Sequence, residues 1–254
     1  LSPKPAKIGT AMLVVESPKA ALSLLSLARD QLGEMVSGFE LMHKQGIDFL
    51  TQYMPDVRQP LDSAPEWTVL IEVGFPVAMN PQSALEKLFE EGMEAGLVSD
   101  GVIAQSQAQS DAFWTVRESI PEANRRVGSI SSHDISVPLG ALAGFIEEAN
   151  HRIHKIGDFR INCFGHVGDG NLHYNVFGNG SLPDGFEGKS LDLTNQLYEI
   201  VHKYNGSFSA EHGIGQLKKK SLEKHKNSVA YSLMKSIKKE LDPKGIMNPG
   251  KVLY

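Results

Sequence analysis

The chain has 254 residues, 41% of them hydrophobic, enough to bury a sizeable core in one large or two small domains. With 25 basic and 30 acidic residues its formal net charge is -5, so it offers no basic footprint for nucleic acid or an anionic membrane. The single cysteine, Cys163, excludes an internal disulfide framework and fits a reducing compartment, cytoplasmic or, in a eukaryote, the mitochondrial matrix; no apolar run approaches the roughly 18 residues of a membrane span.

Leu1-Ser2-Pro3-Lys4-Pro5 lacks an initiator methionine and reads as a linker entering a strand, which suggests a cut from a longer chain. Ile8 to Glu16 is β-rich. From Pro18 to Leu32, Ala21, Leu24, Leu25, Ala28 and Leu32 fall on one helical face, and a strand over Val36 to Met42 follows. The order returns as a strand at Trp67 to Phe75, a helix opened by Asn80-Pro81 with Leu85, Leu88 and Phe89 inward, and a strand at Val98 to Ala104. Two such β-α-β units predict an α+β domain of ferredoxin-like type, in which helices cover a largely antiparallel sheet.

A helix is predicted from Asp111 to Arg126, a strand at Ile130 to Val137 and a helix from Leu139 to Ile156. Strands at Phe159 to His166 and Leu172 to Phe177 are separated by the turn Val167-Gly168-Asp169-Gly170. Beyond a loop at Pro183 to Gly188, Leu191, Leu197, Ile200, Val201 and Tyr204 mark another helix. A short strand at Ser207 to Ala210 leads into Glu211-His212-Gly213. The last helix carries Ala230, Leu233, Met234, Ile237 and Leu241 and stops at Asp242-Pro243. The tail to Lys251 is rich in turn formers, with Ile246, Met247, Val252 and Leu253 as apolar anchors.

Three places carry side chains able to do chemistry. His166 and His173 bracket the glycine-rich turn, so a hairpin would bring both imidazoles to one end of the sheet, with His173 and Asn175 on one face. Two histidines with a carboxylate, Glu211 or Asp169, and one open position would suit zinc or another divalent transition metal. The bland alternative is an exposed polar turn. In Glu211-His212-Gly213, an extended backbone would point acid and imidazole to opposite sides, one to ligate and one to act as a base; a polar loop is the alternative. Arg117 follows Phe113 and Trp114 by one turn, so its stem can lie on aromatic surface while the guanidinium grips a carboxylate in a cleft; a snorkelling surface arginine would look the same. His43, His133, His151, His154, His202 and His225 read as surface or satisfied polar residues.

Taken together, Gly165-His166-Val167-Gly168-Asp169-Gly170-Asn171-Leu172-His173, Ala210-Glu211-His212-Gly213-Ile214-Gly215 and Leu241-Asp242-Pro243 through Asn248-Pro249-Gly250-Lys251 resemble the C-terminal domain of FAD-linked oxidases of the vanillyl-alcohol-oxidase type, in the D-2-hydroxyglutarate and D-lactate dehydrogenase branch. Phe39-Glu40-Leu41-Met42 and Trp114-Thr115-Val116-Arg117-Glu118 extend the resemblance over essentially the whole chain. The resemblance implies an N-terminal FAD-binding domain outside this chain, a substrate and cap domain at 1–206, and a C-terminal segment at 207–254 facing the flavin. It implies His166, His173 and Glu211 as ligands of a divalent metal, zinc being the expected one. Asn175 and His212 would face the substrate, Arg117 would bind its carboxylate, and Asn248 would approach the FAD. The implied activity is oxidation of a small D-2-hydroxy acid to the 2-oxo acid, with His212 as base and an unidentified electron acceptor; a homodimer is compatible. A metal-dependent hydrolase and a non-catalytic cap or assembly subunit remain alternatives. One departure stands out: where family members often carry a lysine before the His-Asp-Ile-Ser type segment, this chain has Ser132 before His133-Asp134-Ile135-Ser136.

Overall fold

The computed structural model describes residues 4–179 and 188–253, so most of the loop expected at Pro183 to Gly188 lies outside the described residues. The polypeptide divides into two compact units, Leu1–Phe208 and Ser209–Tyr254.

The first unit is built on a seven-stranded antiparallel sheet: β1 (Lys7–Val15), β2 (Val36–His43), β3 (Trp67–Phe75), β4 (Asp100–Ile103), β5 (Ser131–Ser136), β6 (Phe159–His166) and β7 (Asn171–Gly178), ordered β4-β1-β3-β2-β6-β7-β5. The first four strands, with helices α1 (Pro18–Leu32) and α3 (Pro81–Glu94), make the expected ferredoxin-like half. Both helices start where proline at the first helical position follows a side-chain cap: Ser17 accepts from the Ala20 N–H and Asn80 from the Gln82 N–H. The second half is the β6-β7 hairpin with β5. Within the sheet it joins the first at two paired positions, Glu40 opposite His166 and Leu41 opposite Gly165.

Strand alternation sorts side chains into two cores. On one face Leu13, Leu41, Val69, Ile71, Tyr174 and Val176 pack under α1, α3, α5 (Leu142–Ile156) and α6 (Lys189–Lys203). On the other, Met12, Met42, Leu70, Phe164 and Phe177 meet α2 (Lys44–Tyr53) and α4 (Gln107–Val127). Helix α2 was not expected. Its N-cap is His43, an uncommon capping residue, and its apolar side chains crowd into Ile47, Phe49 and Leu50 instead of spreading over several turns.

The second unit holds α7 (Lys219–His225) and α8 (Ser228–Leu241). Helix α7, with seven residues and only Leu222 buried, leaves no readable periodicity. In α8 only Tyr231 is buried, whereas Leu233, Ile237 and Leu241 are exposed. The tail is held by Asp242, whose carboxylate accepts the N–H groups of Ile246 and Met247 at 3.0 Å each, and by the Val252 N–H to Gly215 carbonyl bond at 2.7 Å. At Ser207 to Ala210 the expected strand reduces to a single bridge between Ser207 and Ser136, within the first unit.

His43 makes α2 pH-sensitive. Its Nδ1 accepts the Gln45 N–H at 3.2 Å while Nε2 donates to Glu66 at 3.1 Å, so only the neutral ring satisfies both contacts. Burial pushes its pKa below the ordinary imidazole value, against the opposing pull of Glu66. A depressed base binds its proton more readily in the unfolded chain, so its contribution is complete above the ordinary value of about 6.5 and is lost as pH falls towards the folded value. Urea unfolding at stepped pH is expected to show this decline. In His43→Asn, which keeps a capping oxygen but does not titrate, the decline flattens, at a cost of about 1 kcal/mol near neutrality for the lost ring contact with Trp67. An unaltered pH slope in the variant would place the sensitivity elsewhere.

Candidate active site

On the second face of the sheet, where β2 meets β6, Glu40 sits with its side chain 5% exposed, although an isolated carboxylate there would be costly. It is paired on both oxygens. Oε1 receives the Nδ1–H of His166 at 2.7 Å, and Oε2 receives the Nε–H of Arg117, from α4, at 2.9 Å. Burial alone would raise the Glu40 pKa, but the His166 hydrogen bond and the Arg117 charge outweigh it and hold the carboxyl below its ordinary value.

A second carboxylate stands beside the second imidazole. On β5, Asp134 lies opposite His173 of β7, with its Oδ1 4.0 Å from His173 Nδ1. Asn171 fixes Asp134 by donating to Oδ1 at 2.8 Å and to the Ile135 carbonyl at 2.9 Å. The rings of His166 and His173 stand edge to face, with centroids 5.7 Å apart. The hairpin thus brings the two imidazoles together, each with Nδ1 turned towards a buried carboxylate. For His166 the Glu40 bond directs Nε2 to the opposite edge of the ring and matches the carboxylate-histidine pattern that orients metal ligands, whereas the 4.0 Å approach of Asp134 to His173 is longer than a hydrogen bond. Cys163 is no competitor for a metal, because it is buried and burial pushes its thiol pKa up.

The turn between the histidines is tightly specified. Gly170 has φ of 70°, and a Cβ there would stand 2.3 Å from the Val137 carbonyl oxygen. From α1, Arg29 donates to the Gly168 carbonyl at 2.9 Å. Beside the turn lies a cavity of about 510 Å³ whose lining includes Arg29, Ser37, Glu40, His166 and Asp169.

Arg117 differs from expectation in its surroundings. Its aromatic neighbour is Phe164, whose ring centroid lies 4.8 Å from Cζ, whereas Trp114 turns away and donates to Glu72 at 2.8 Å. The guanidinium is buried and not exposed in a cleft, and its Nη2 has no hydrogen-bond acceptor among the described residues. A buried cationic N–H without an acceptor is costly, which makes Nη2 a natural anchor for an added carboxylate. Asn175 shares the His173 face as alternation requires, but it is buried, with Nδ2 donating to the carbonyls of His173 at 3.2 Å and Asn162 at 3.4 Å. Opposite Asn175, Ser132 bonds to the Ser129 hydroxyl at 2.6 Å, so this register position carries a neutral hydroxyl.

In the second unit, Glu211 and His212 are exposed and lie in a bend, not an extended segment. Their side chains therefore approach each other, with His212 Nε2 3.5 Å from Glu211 Oε1, instead of pointing apart. Asn248 is also exposed, at a positive φ of 47°. The residues not singled out from sequence are Glu40, Asp134 and Asn171. Glu40 stands as a polar residue among Phe39, Leu41 and Met42, a signal in the sequence, whereas Asp134 and Asn171 lie among other polar residues of β5 and β7 and have no such contrast.

The antiparallel sheet covered by helices is the fold of the C-terminal domain of FAD-linked oxidases. Residues 4–252 match the family of FAD linked oxidases, C-terminal domain, and the chain belongs to it. It is 40% identical over 232 residues to the probable mitochondrial D-2-hydroxyglutarate dehydrogenase of Oryza sativa subsp. japonica, covering 91% of this chain and 40% of that protein. It is 36% identical to the mitochondrial D-2-hydroxyglutarate dehydrogenase of Arabidopsis thaliana, covering 99% and 44%. The chain thus spans less than half the length of these relatives. Among solved structures, p-cresol methylhydroxylase with substrate bound shares the fold, with a TM-score of 0.64 at 14% identity over 99% of this chain and 54% of that one.

Gly170→Ala tests the turn. A left-handed backbone costs a non-glycine residue roughly 1–2 kcal/mol, and the clash with the Val137 carbonyl adds to it, so chemical denaturation should report a loss of about 2 kcal/mol or more. A loss under about 1 kcal/mol would mean that the turn relaxes without holding the two histidines in place.

Proposed function

We propose that the protein containing this chain is an FAD-dependent dehydrogenase of a small D-2-hydroxy acid, of the D-2-hydroxyglutarate or D-lactate kind, and that this chain supplies the substrate and metal residues. The observation that carries the reading is the pair of imidazoles, His166 bonded to buried Glu40 and His173 beside buried Asp134, next to a buried guanidinium whose Nη2 has no acceptor among the described residues. The names of the relatives support the substrate class. The FAD-binding part belongs to another portion of the polypeptide, residues 207–254 face the flavin with Asn248 close to it, and the compartment is the cytoplasm or, in a eukaryote, the mitochondrial matrix.

His166 and His173 serve as ligands of a divalent metal, for which zinc is the first candidate; Glu211, the third ligand, rests on the sequence resemblance alone. A metal bound there supplies Lewis acidity that lowers the pKa of a substrate hydroxyl. FAD, when bound, supplies at N5 the acceptor for the C2 hydride. Arg117 holds the substrate carboxylate through the guanidinium edge that Glu40 leaves unused. Asn175 orients the substrate, and His212 removes the hydroxyl proton as the 2-oxo acid forms. Because Ser132 offers a hydroxyl where a lysine would hold a second carboxylate, D-lactate and D-2-hydroxyglutarate belong in one substrate panel.

The complete polypeptide, mixed anaerobically with D-2-hydroxy acids, should show flavin bleaching with at least one, and a dye acceptor should restore the oxidised spectrum. No bleaching with any member would favour a hydrolytic or purely structural role. Arg117→Lys keeps a charge but loses the planar two-point grip, worth roughly 1.5–3 kcal/mol, so KM should rise while kcat is largely retained. His212→Asn should slow flavin reduction about 10²- to 10⁴-fold at saturating substrate with metal content unaltered. Near-normal reduction in that variant would remove His212 from the base role.

A further inference from the structure

We infer that Glu40 is a positioning residue that sets which nitrogen His166 presents and which edge Arg117 presents, so that one buried carboxylate orients both a metal ligand and the anion-binding group; the inference rests on the proposed ligand role of His166. The two oxygens are divided between the two partners, with Oε1 taking the His166 Nδ1–H at 2.7 Å and Oε2 the Arg117 Nε–H at 2.9 Å. A carboxylate accepts only, so a neutral imidazole that keeps this bond carries its proton on Nδ1 and its lone pair on Nε2. Use of Arg117 Nε in the same way fixes the guanidinium plane and turns Nη2 to the side where it lacks an acceptor.

The backbone holds this geometry in place. Glu40 and His166 are directly opposed residues of β2 and β6, at one of the two pairings that join the halves of the sheet. Stability alone is a poor reason for the arrangement, since buried ion pairs can often be replaced by well-packed apolar residues without loss. No neutral isostere reproduces it. The amide of glutamine has one acceptor and one donor, so it can satisfy Arg117 only by offering an N–H to His166 Nδ1, which drives the imidazole proton to Nε2.

The measurement is histidine tautomer state by long-range ¹H–¹⁵N correlation on the metal-free complete polypeptide carrying ¹⁵N-histidine. It is made at about pH 8.5, above the ordinary imidazole range, with His166 assigned by its loss in His166→Gln. Wild type should carry the His166 proton on Nδ1 alone. A proton on Nε2, by itself or together with Nδ1, overturns the inference, and this arm needs no variant to fold. In Glu40→Gln, His166 should shift to the Nε2–H form while the signals of His173, which does not contact Glu40 through a hydrogen bond, stay in place. An unshifted His166 in the folded variant also overturns it. Zinc affinity is then titrated with the metal alone, and Glu40→Gln should bind about 10- to 100-fold more weakly. A changed tautomer with unchanged zinc affinity would leave Glu40 as the orienting group and remove His166 from the ligand set, so the two readings fail separately.

Discussion

The buried carboxylate of Glu40 constrains the rest of the first unit. Taking an ionised carboxylate out of water costs several kcal/mol even after relaxation, and here it is offset only because a guanidinium and an imidazole each meet one oxygen. Both partners come from distant parts of the chain, Arg117 77 residues away and His166 126 residues away. Satisfying Glu40 therefore requires α4 to lie over this face and β6 to dock beside β2 in one register. A slip of one residue along β2 would turn His166 to the opposite face and leave the carboxylate without that donor.

The same logic continues around the hairpin. Asn171, the first residue of β7, holds Asp134 on β5, and Asp134 stands against His173 two positions further along β7. Gly170 allows the turn and Arg29 ties it to α1. Polar groups that would be costly singly are arranged so that each bond fixes the orientation of the next side chain. This is how a face otherwise packed with Met42, Phe164 and Phe177 can carry a charged site.

Where local signals were strong, the sequence was legible to the residue. Helical periodicity from Pro18 to Leu32 matches α1, and the strands expected at Trp67 to Phe75 and Phe159 to His166 match β3 and β6. The spacing of His166 and His173 around a glycine-rich turn was enough to bring two imidazoles together. What was not legible is non-local or rests on weak local signals. Nothing near Glu40 in sequence names Arg117 or His166 as partners, and nothing near Arg117 says that its ring neighbour will be Phe164 from β6. Helix α2 carries a histidine cap, a weak local signal, and whether the Glu211 and His212 side chains point apart depends on an extended backbone that the bend there does not supply.

Formal charges connect the packing to the chemistry proposed for it. Along the sequence of contacts from Arg117 through Glu40, His166 and His173 to Asp134, one cation faces two carboxylates, so with neutral imidazoles these residues sum to -1. A site of that sign repels an anionic 2-hydroxy acid and attracts a cation. On the proposed reading a divalent ion reverses the sign of this group, and the unpaired Nη2 of Arg117 gives the incoming carboxylate a fixed direction as well as a favourable field. On that same reading a bound cation would precede the anion, and the pairing of both Glu40 oxygens would keep this carboxylate from competing with the substrate for it.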